Sequence, residues 1–321
     1  MSSPDLPLVA PQTAQPPPRG GSHTGAAKSG RVRRLSGSDR IVVVLMVAIP
    51  TLIVVGLIWL PAIASVLLSF TNWNGIGGLS DIKVVGLKNY TDVFTIYPPF
   101  KPAVEHNLLW LVVMFVVATP LGIFFAVLID KDLKGSRFYQ TALYLPVVLS
   151  LALIGFIWQL MYSRDQGLIN AVLGTQVDFY GDPKWNIWAA LFATCWRQVG
   201  YVMLLYLAGL KGVDASLKEA AQMDGATEVQ TFFRIVFPVM RPINIIVLVI
   251  TVIESLRAFD LVWVINQGRN GLELLATLVT QNIVGEASRI GFGSALATIM
   301  LLISLVFISI YLNVIMREDE R

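Results

Sequence analysis

Six apolar runs, at about 41–69, 108–129, 141–162, 186–210, 243–265 and 293–315, occupy most of the sequence from Ile41 onward. Each is close to the ~20 residues a helix needs to cross a hydrocarbon core of ~30 Å. A chain built this way is expected to be an all-α integral membrane protein with six transmembrane helices. Composition agrees, since 55% of residues are hydrophobic and 14% charged, against about 25% charged in soluble domains. The sequence Ala62-Ile63-Ala64 mimics a signal-peptide cleavage site. The run that holds it exceeds the ~7–15 apolar residues of a signal peptide, so it reads as an uncleaved first span.

Residues 1–40 are rich in Pro, Gly and Ser and turn basic at Arg31, Arg33, Arg34 and Arg40. They carry too little apolar surface to order themselves and are expected to form a disordered tail. Residues 41–316 then make the six-helix domain, and 317–321 a short C-terminus. Within the tail, Gly25-Ala-Ala-Lys-Ser29 lacks the adjacent Gly-Lys of a phosphate loop, and no strand precedes it, so the chain is not itself an ATPase. The net charge of +3 comes from scattered cations with no aromatic-interleaved basic surface, which argues against nucleic acid. Two distant histidines and the lone Cys195 offer neither a metal-ligand cluster nor a disulfide, so no metal and no bound cofactor are expected.

Fifteen of the 24 lysines and arginines fall in the tail, in 130–140, in 211–242 and at the C-terminus; seven fall in the three alternate loops. By the positive-inside tendency, both termini and the 211–242 segment face the cytoplasm. The outer loops carry Trp73, Tyr90, Tyr97, Tyr162 and Trp185, consistent with an interfacial aromatic belt.

A short charged knuckle interrupts the apolar pattern between the fourth and fifth runs. Ser216-Leu-Lys-Glu219 has the form of a capping box, which starts a helix. Leu217, Ala220 and Ala221 share one face with Met223 near its edge, and Gly225 supplies the left-handed residue that ends the helix. Thr227-Glu-Val-Gln230 reads as a second capping box, opening a helix that Pro238 stops. The first of these helices is shorter than the ~12–15 residues at which an isolated helix becomes marginal in water, so something else must hold it. Its polar face mixes Lys218 with Glu219, Asp224 and Glu228, unlike the Lys/Arg-rich face of a helix lying on headgroups. Its alanines allow close approach, and it reads as a rigid plug for a groove in a soluble protein.

The residues Glu219-Ala220-Ala221, Gly225, Ile235 and Phe237-Pro238, at this spacing, resemble the EAA…G…I.LP signature of permease subunits in binding-protein-dependent ABC importers. The segments SFTNWN, VGLKNY, GLINAVLG, LYLAGLKGVDASLKEAA, SLRAFDLVWVINQG and GFGSALATIM narrow the resemblance to sugar-importer permeases of the maltose-permease type. Phe237 stands where the signature usually has leucine, and INQGRNG where these permeases often carry a T-G-G-P turn. The resemblance implies that residues 216–225 form a coupling helix docking into a cleft of a cytoplasmic ATPase subunit. Glu219, Ala220, Ala221, Asp224 and Gly225 would be its contact positions. It further implies a pair of ATPase subunits that bind the ATP, a second homologous permease subunit, an extracytoplasmic solute-binding protein, and a sugar or oligosaccharide crossing a bacterial cell membrane.

Ionisable residues inside spans carry a functional prior. Arg197 and Glu254 each lie near the middle of their runs, where they can meet; Arg257 and Asp260 follow Glu254 at spacing three, turning around one side of a helix. They read either as an ion pair registering helices, Arg197 with Glu254 or Glu254 with Arg257, or as lining of a translocation path. Gln198 and Tyr201 join that path as candidates, with Trp196 and Trp263 in the same segments. Three alternatives remain open: a proton-coupled carrier using Glu254 or Asp260, a scaffold subunit without transport, and a permease of the same family moving a polyol or glycerol phosphate.

Overall fold

The structure, a computed structural model, describes residues 36–131, 134–285 and 288–319. The expected tail lies outside them up to residue 35. Its last residues belong instead to the first helix: Ser36 Oγ accepts the Asp39 N–H at 3.3 Å while Asp39 Oδ2 accepts the Ser36 N–H at 3.0 Å, a capping box that starts the helix at Gly37. The helices are α1 (Gly37–Leu68), α2 (Lys88–Thr95), α3 (Phe100–Asp130), α4 (Ser136–Val148), α5 (Leu151–Met161), α6 (Leu168–Leu173) and α7 (Asn186–Lys211). They continue as α8 (Ala215–Met223), α9 (Glu228–Val239), α10 (Arg241–Leu256), α11 (Asp260–Asn266), α12 (Leu275–Ile283) and α13 (Ile290–Asp319). Among the described residues the extended backbone pairs only in one isolated bridge, Thr71 with Val84. The fold is the expected all-α membrane architecture.

By its internal contacts the described chain divides after Val55, within α1, and the sites described below lie in the unit that follows. Helices α1, α3, α7 and the Ile290–Ile310 part of α13 are each long and apolar enough to cross a membrane unbroken. The third expected span is bent instead, α4 meeting α5 at 104°, and just ahead of the fifth α9 meets the α10–α11 stretch at 78°. At the first bend Pro146 brings no N–H, and Ser150 Oγ accepts the Leu153 N–H at 3.2 Å to begin a new helix. At the second, Met240 leaves helical geometry and Pro242 opens α10. Pro238 therefore does not stop α9, which runs through a π-helical turn at Phe232–Val236 to Val239. The bend is tied to α7, where the Tyr206 hydroxyl donates to Asn244 Oδ1 at 2.7 Å while Asn244 Nδ2 donates to the Phe237 carbonyl at 2.9 Å.

Helices in lipid gain little from apolar burial as such, so close contact between small residues holds them together. Helices α3 and α7 show this best. A methyl group on Gly122 would lie 2.6 Å from Val202 Cβ and 2.9 Å from the Val199 carbonyl oxygen, and Ala118 and Ala126 flank it fully buried. Large apolar side chains such as Leu57, Phe124, Phe156 and Leu302 point outward, as a hydrocarbon surround allows.

Candidate functional site

Two features stand out from this frame, a charged cavity inside the helix bundle and the exposed helix α8. The cavity lies where the fifth span itself breaks. Helix α10 ends at Leu256 and α11 starts at Asp260, which leaves Arg257, Ala258 and Phe259 outside helical repetition. Backbone groups freed at such depth must find other partners or line a polar cavity. Both happen. Asn107 on α3, 2% exposed, donates from Nδ2 to the Ser255 carbonyl at 3.0 Å and accepts the Leu275 N–H on Oδ1 at 2.9 Å, so one side chain joins α3, the end of α10 and the start of α12.

The space beside the break is a cavity of about 130 Å³. Arg197, Gln198, Glu254, Arg257 and Asp260 line it, with Trp110, Met114 and Phe259 supplying apolar wall. Arg197 Nη1 stands 3.9 Å from Glu254 Oε2, and the Arg197 Nε is buried with no hydrogen-bond partner. Gln198 Nε2 donates to Thr251 Oγ1 at 3.4 Å, and the Ser255 hydroxyl donates to the Thr251 carbonyl at 2.7 Å. Asp260 occupies the first turn of α11, where the helix dipole favours a negative charge. The lining thus alternates donors and acceptors around aromatic surface, an arrangement that suits a polyhydroxylated molecule.

Five of the six expected path residues come together here. Tyr201 does not line the cavity; it sits half-buried one turn along α7. The expected progression of Glu254, Arg257 and Asp260 around one helical face also fails, because the helix stops between them. The ion pair formed is Arg197 with Glu254. Trp263 stacks on the wall residue Phe259 at 5.2 Å and backs the cavity there, whereas Trp196 packs edge-on against Trp158 at 5.7 Å, away from the lining. Asn107, Thr251, Ser255 and Phe259 were missed by sequence reasoning. The faint signal for the first three was a polar residue within or beside an apolar run.

Helix α8 is capped at both ends, but its N-terminus differs from the expected one. Asp214, not Ser216, is the N-cap: its Oδ1 accepts the Ser216 N–H at 2.9 Å. These bonds, backbone first and then the Ser216 hydroxyl, hold the Asp214 carboxyl below its usual range. Glu219, released from a capping role, is exposed. At the other end Gly225 adopts φ +79°, its N–H donating to Gln222 O and the Ala226 N–H to Ala221 O, each at 3.0 Å, a complete Schellman motif. Thr227 and Gln230 form the expected second capping box.

The two alanines differ in surroundings. Ala221 is 4% exposed, turned into its own chain, whereas Glu219, Ala220, Asp224 and Gly225 are exposed. Leu217 and Met223 are exposed too, the latter at 88%. Ala221 thus packs the helix down instead of presenting itself to a partner, and the helix begins two positions earlier than a Ser216 cap would set it.

Residues 118–318 match the model of the family described as binding-protein-dependent transport system inner membrane component. The chain is 32% identical over 256 residues to the xylose/arabinose import permease protein XacH of Haloferax volcanii, covering 76% of this chain and 78% of that one. It is 29% identical to the arabinooligosaccharides transport system permease protein AraP of Halalkalibacterium halodurans, covering 86% and 88%. Among solved structures, a bacterial ABC transporter involved in the import of the acidic polysaccharide alginate aligns with TM-score 0.74 at 20% identity, covering 87% of this chain and 96% of that one.

Proposed function

This chain belongs to the binding-protein-dependent transport system inner membrane component family, and from that premise we propose that it forms half of the pore of an ABC importer for a sugar or oligosaccharide. It is a multi-pass membrane protein and a transport subunit. Its companions in the proposed assembly are a second homologous permease subunit, a pair of cytoplasmic ATPase subunits that bind the ATP, and an extracytoplasmic solute-binding protein. The solved alginate transporter, described in complex with an alginate pentasaccharide-bound periplasmic protein, supports the last of these by analogy of fold.

The observation that carries the reading is helix α8. It is too short to persist alone, is capped at both ends, and keeps Glu219, Ala220, Asp224 and Gly225 on its open side. This is the form of a rigid lever docked in a cleft of the ATPase. On ATP-driven closure the ATPase pair draws the levers together, and the spans tilt as rigid bodies between inward-open and outward-open states. Both termini and α8 then lie on the cytoplasmic side of a bacterial cell membrane.

In the pore, Arg197, Gln198, Glu254, Arg257 and Asp260 exchange hydrogen bonds with sugar hydroxyls while Trp110 and Phe259 cover apolar ring faces. Names of relatives favour saccharide cargo: xylose and arabinose for XacH, arabinooligosaccharides for AraP.

The test is uptake into vesicles holding the whole assembly, with labelled xylose, arabinotriose, maltotriose and glycerol 3-phosphate, comparing ATP inside with an imposed proton gradient. ATP-dependent uptake of a saccharide that Glu219→Gln weakens is the expected result. Uptake driven by the gradient alone overturns the reading, and uptake of glycerol 3-phosphate alone overturns its sugar part.

A further inference from the structure

At the opposite side of α8 from its open face, three helices converge on one carboxylate. Asp130 is the last residue of α3, where unpaired carbonyls carry partial negative charge and a carboxylate is disfavoured. Its side chain is only 19% exposed, which adds a desolvation cost to the unfavourable position. Two lysines offset both. Lys211 Nζ, at the end of α7, lies 3.1 Å from Asp130 Oδ1, and Lys218 Nζ, on α8, lies 3.3 Å from Oδ2, so each carboxylate oxygen takes one cation. The neighbouring Lys131 pairs with Glu228 in the first turn of α9, an exposed contact that adds little strength alone but repeats the pattern.

We propose that Asp130 is the positioning residue that clasps α8 to the ends of α3 and α7, so that displacement of α8 is passed into the tightly packed α3–α7 pair. The clasp rests on the reading of α8 as a lever moved by an ATPase. Its need is geometric. Ala221 is the one buried side chain of α8, and a single small side chain is a poor handle for torque. Lys218 points inward to Asp130 while its neighbour Glu219 is exposed, so one turn of helix carries both the outward contact and the inward anchor. Beyond the clasp the route is stiff, since Gly122 brings α3 into backbone contact with α7 below Arg197.

The test uses the complete assembly in vesicles, with Cys195→Ala as background and a spin label on Met223→Cys. Wild type, Asp130→Asn, Asp130→Glu, Lys218→Met and the Asp130→Asn/Lys218→Met double variant are compared for label mobility, ATP turnover and saccharide imported per ATP. For coupled neighbours of this kind we expect the two single charge removals to cut import per ATP by about fivefold while ATP turnover holds within about twofold. The label loosens in both, the double variant is no worse than either single, and Asp130→Glu retains coupling. Wild-type import per ATP and wild-type label mobility in Asp130→Asn would overturn the clasp. So would parallel loss of import, ATP turnover and assembled protein, which marks a merely structural role; should Asp130→Asn fail to assemble, Lys218→Met decides by the same criteria. If the wild-type assembly imports no saccharide with ATP, the transport reading fails, and label mobility in the variants still decides whether Asp130 anchors α8.

Discussion

Arg197 on α7 and Glu254 in the last turns of α10 face each other across the cavity, Nη1 3.9 Å from Oε2, and each is bordered by the break that separates α10 from α11. The arginine is the more enclosed partner, 22% exposed against 47%. That asymmetry decides what their removal does. Glu254→Leu leaves a guanidinium without its counter-ion and should lower stability by about 1–3 kcal/mol, a figure discounted from a fully buried pair for the exposed carboxylate. Arg197→Met/Glu254→Leu should recover most of that loss while abolishing uptake. Thermal unfolding in nanodiscs checks both, and a double variant as unstable as the sum of its parts contradicts the pairing.

Asn107 satisfies two backbone groups at once. Its replacement by Leu strands the Ser255 carbonyl and the Leu275 N–H, and each unpaired buried group costs about 1–3 kcal/mol. Faster amide hydrogen exchange should appear at Leu275 and around the α10 break, with a drop in Tm. Unchanged exchange there would show that the break holds itself open without Asn107.

Gly225 tests the lever from its C-terminal end. At φ +79° an added Cβ meets nothing within 4 Å, so Gly225→Ala suffers only the left-handed backbone penalty of about 1–2 kcal/mol. Gly225→Asn should lose less. Graded loss of ATP-coupled uptake in the order Gly, Asn, Ala is expected; equal uptake in all three would mean that the Schellman end is dispensable.

Asp214 predicts a pH dependence. Its folded-state pKa lies below the ordinary 3.8 because the carboxylate accepts the Ser216 N–H and then the Ser216 hydroxyl. A depressed acid contributes stability that is present above its unfolded pKa and disappears as pH falls through the folded one. Order at α8, read by a label on Met223, should therefore be constant at neutral pH and decline only below the ordinary carboxyl range. Asp214→Asn, which still caps, should remove that decline, and Asp214→Ala should loosen α8 at every pH.

Residue order alone made much of this legible. Runs of about 20 apolar residues leave a chain little choice but membrane-spanning helices, so the fold class and the approximate spans follow from counting. The left-handed position at Gly225 and the Thr227–Gln230 cap were equally readable, because they depend on neighbours within four residues. Misplacing the α8 cap on Ser216 shows the limit of such local rules: Asp214 and Ser216 both accept amides well, and the three-residue turn from α7 chose between them.

The break at Arg257–Phe259 was invisible, since no Gly or Pro marks it and the donor that satisfies the freed Ser255 carbonyl is Asn107, 148 positions away. The same holds for Tyr201 missing the cavity, for Ala221 turning inward, and for Asp130 gathering two lysines from other helices. Local sequence set which segments are helical and buried in lipid, because backbone satisfaction in hydrocarbon is an intrasegment matter. Tertiary structure alone decided where helices stop at depth and which charges meet, because those depend on partners that only packing brings within hydrogen-bond reach.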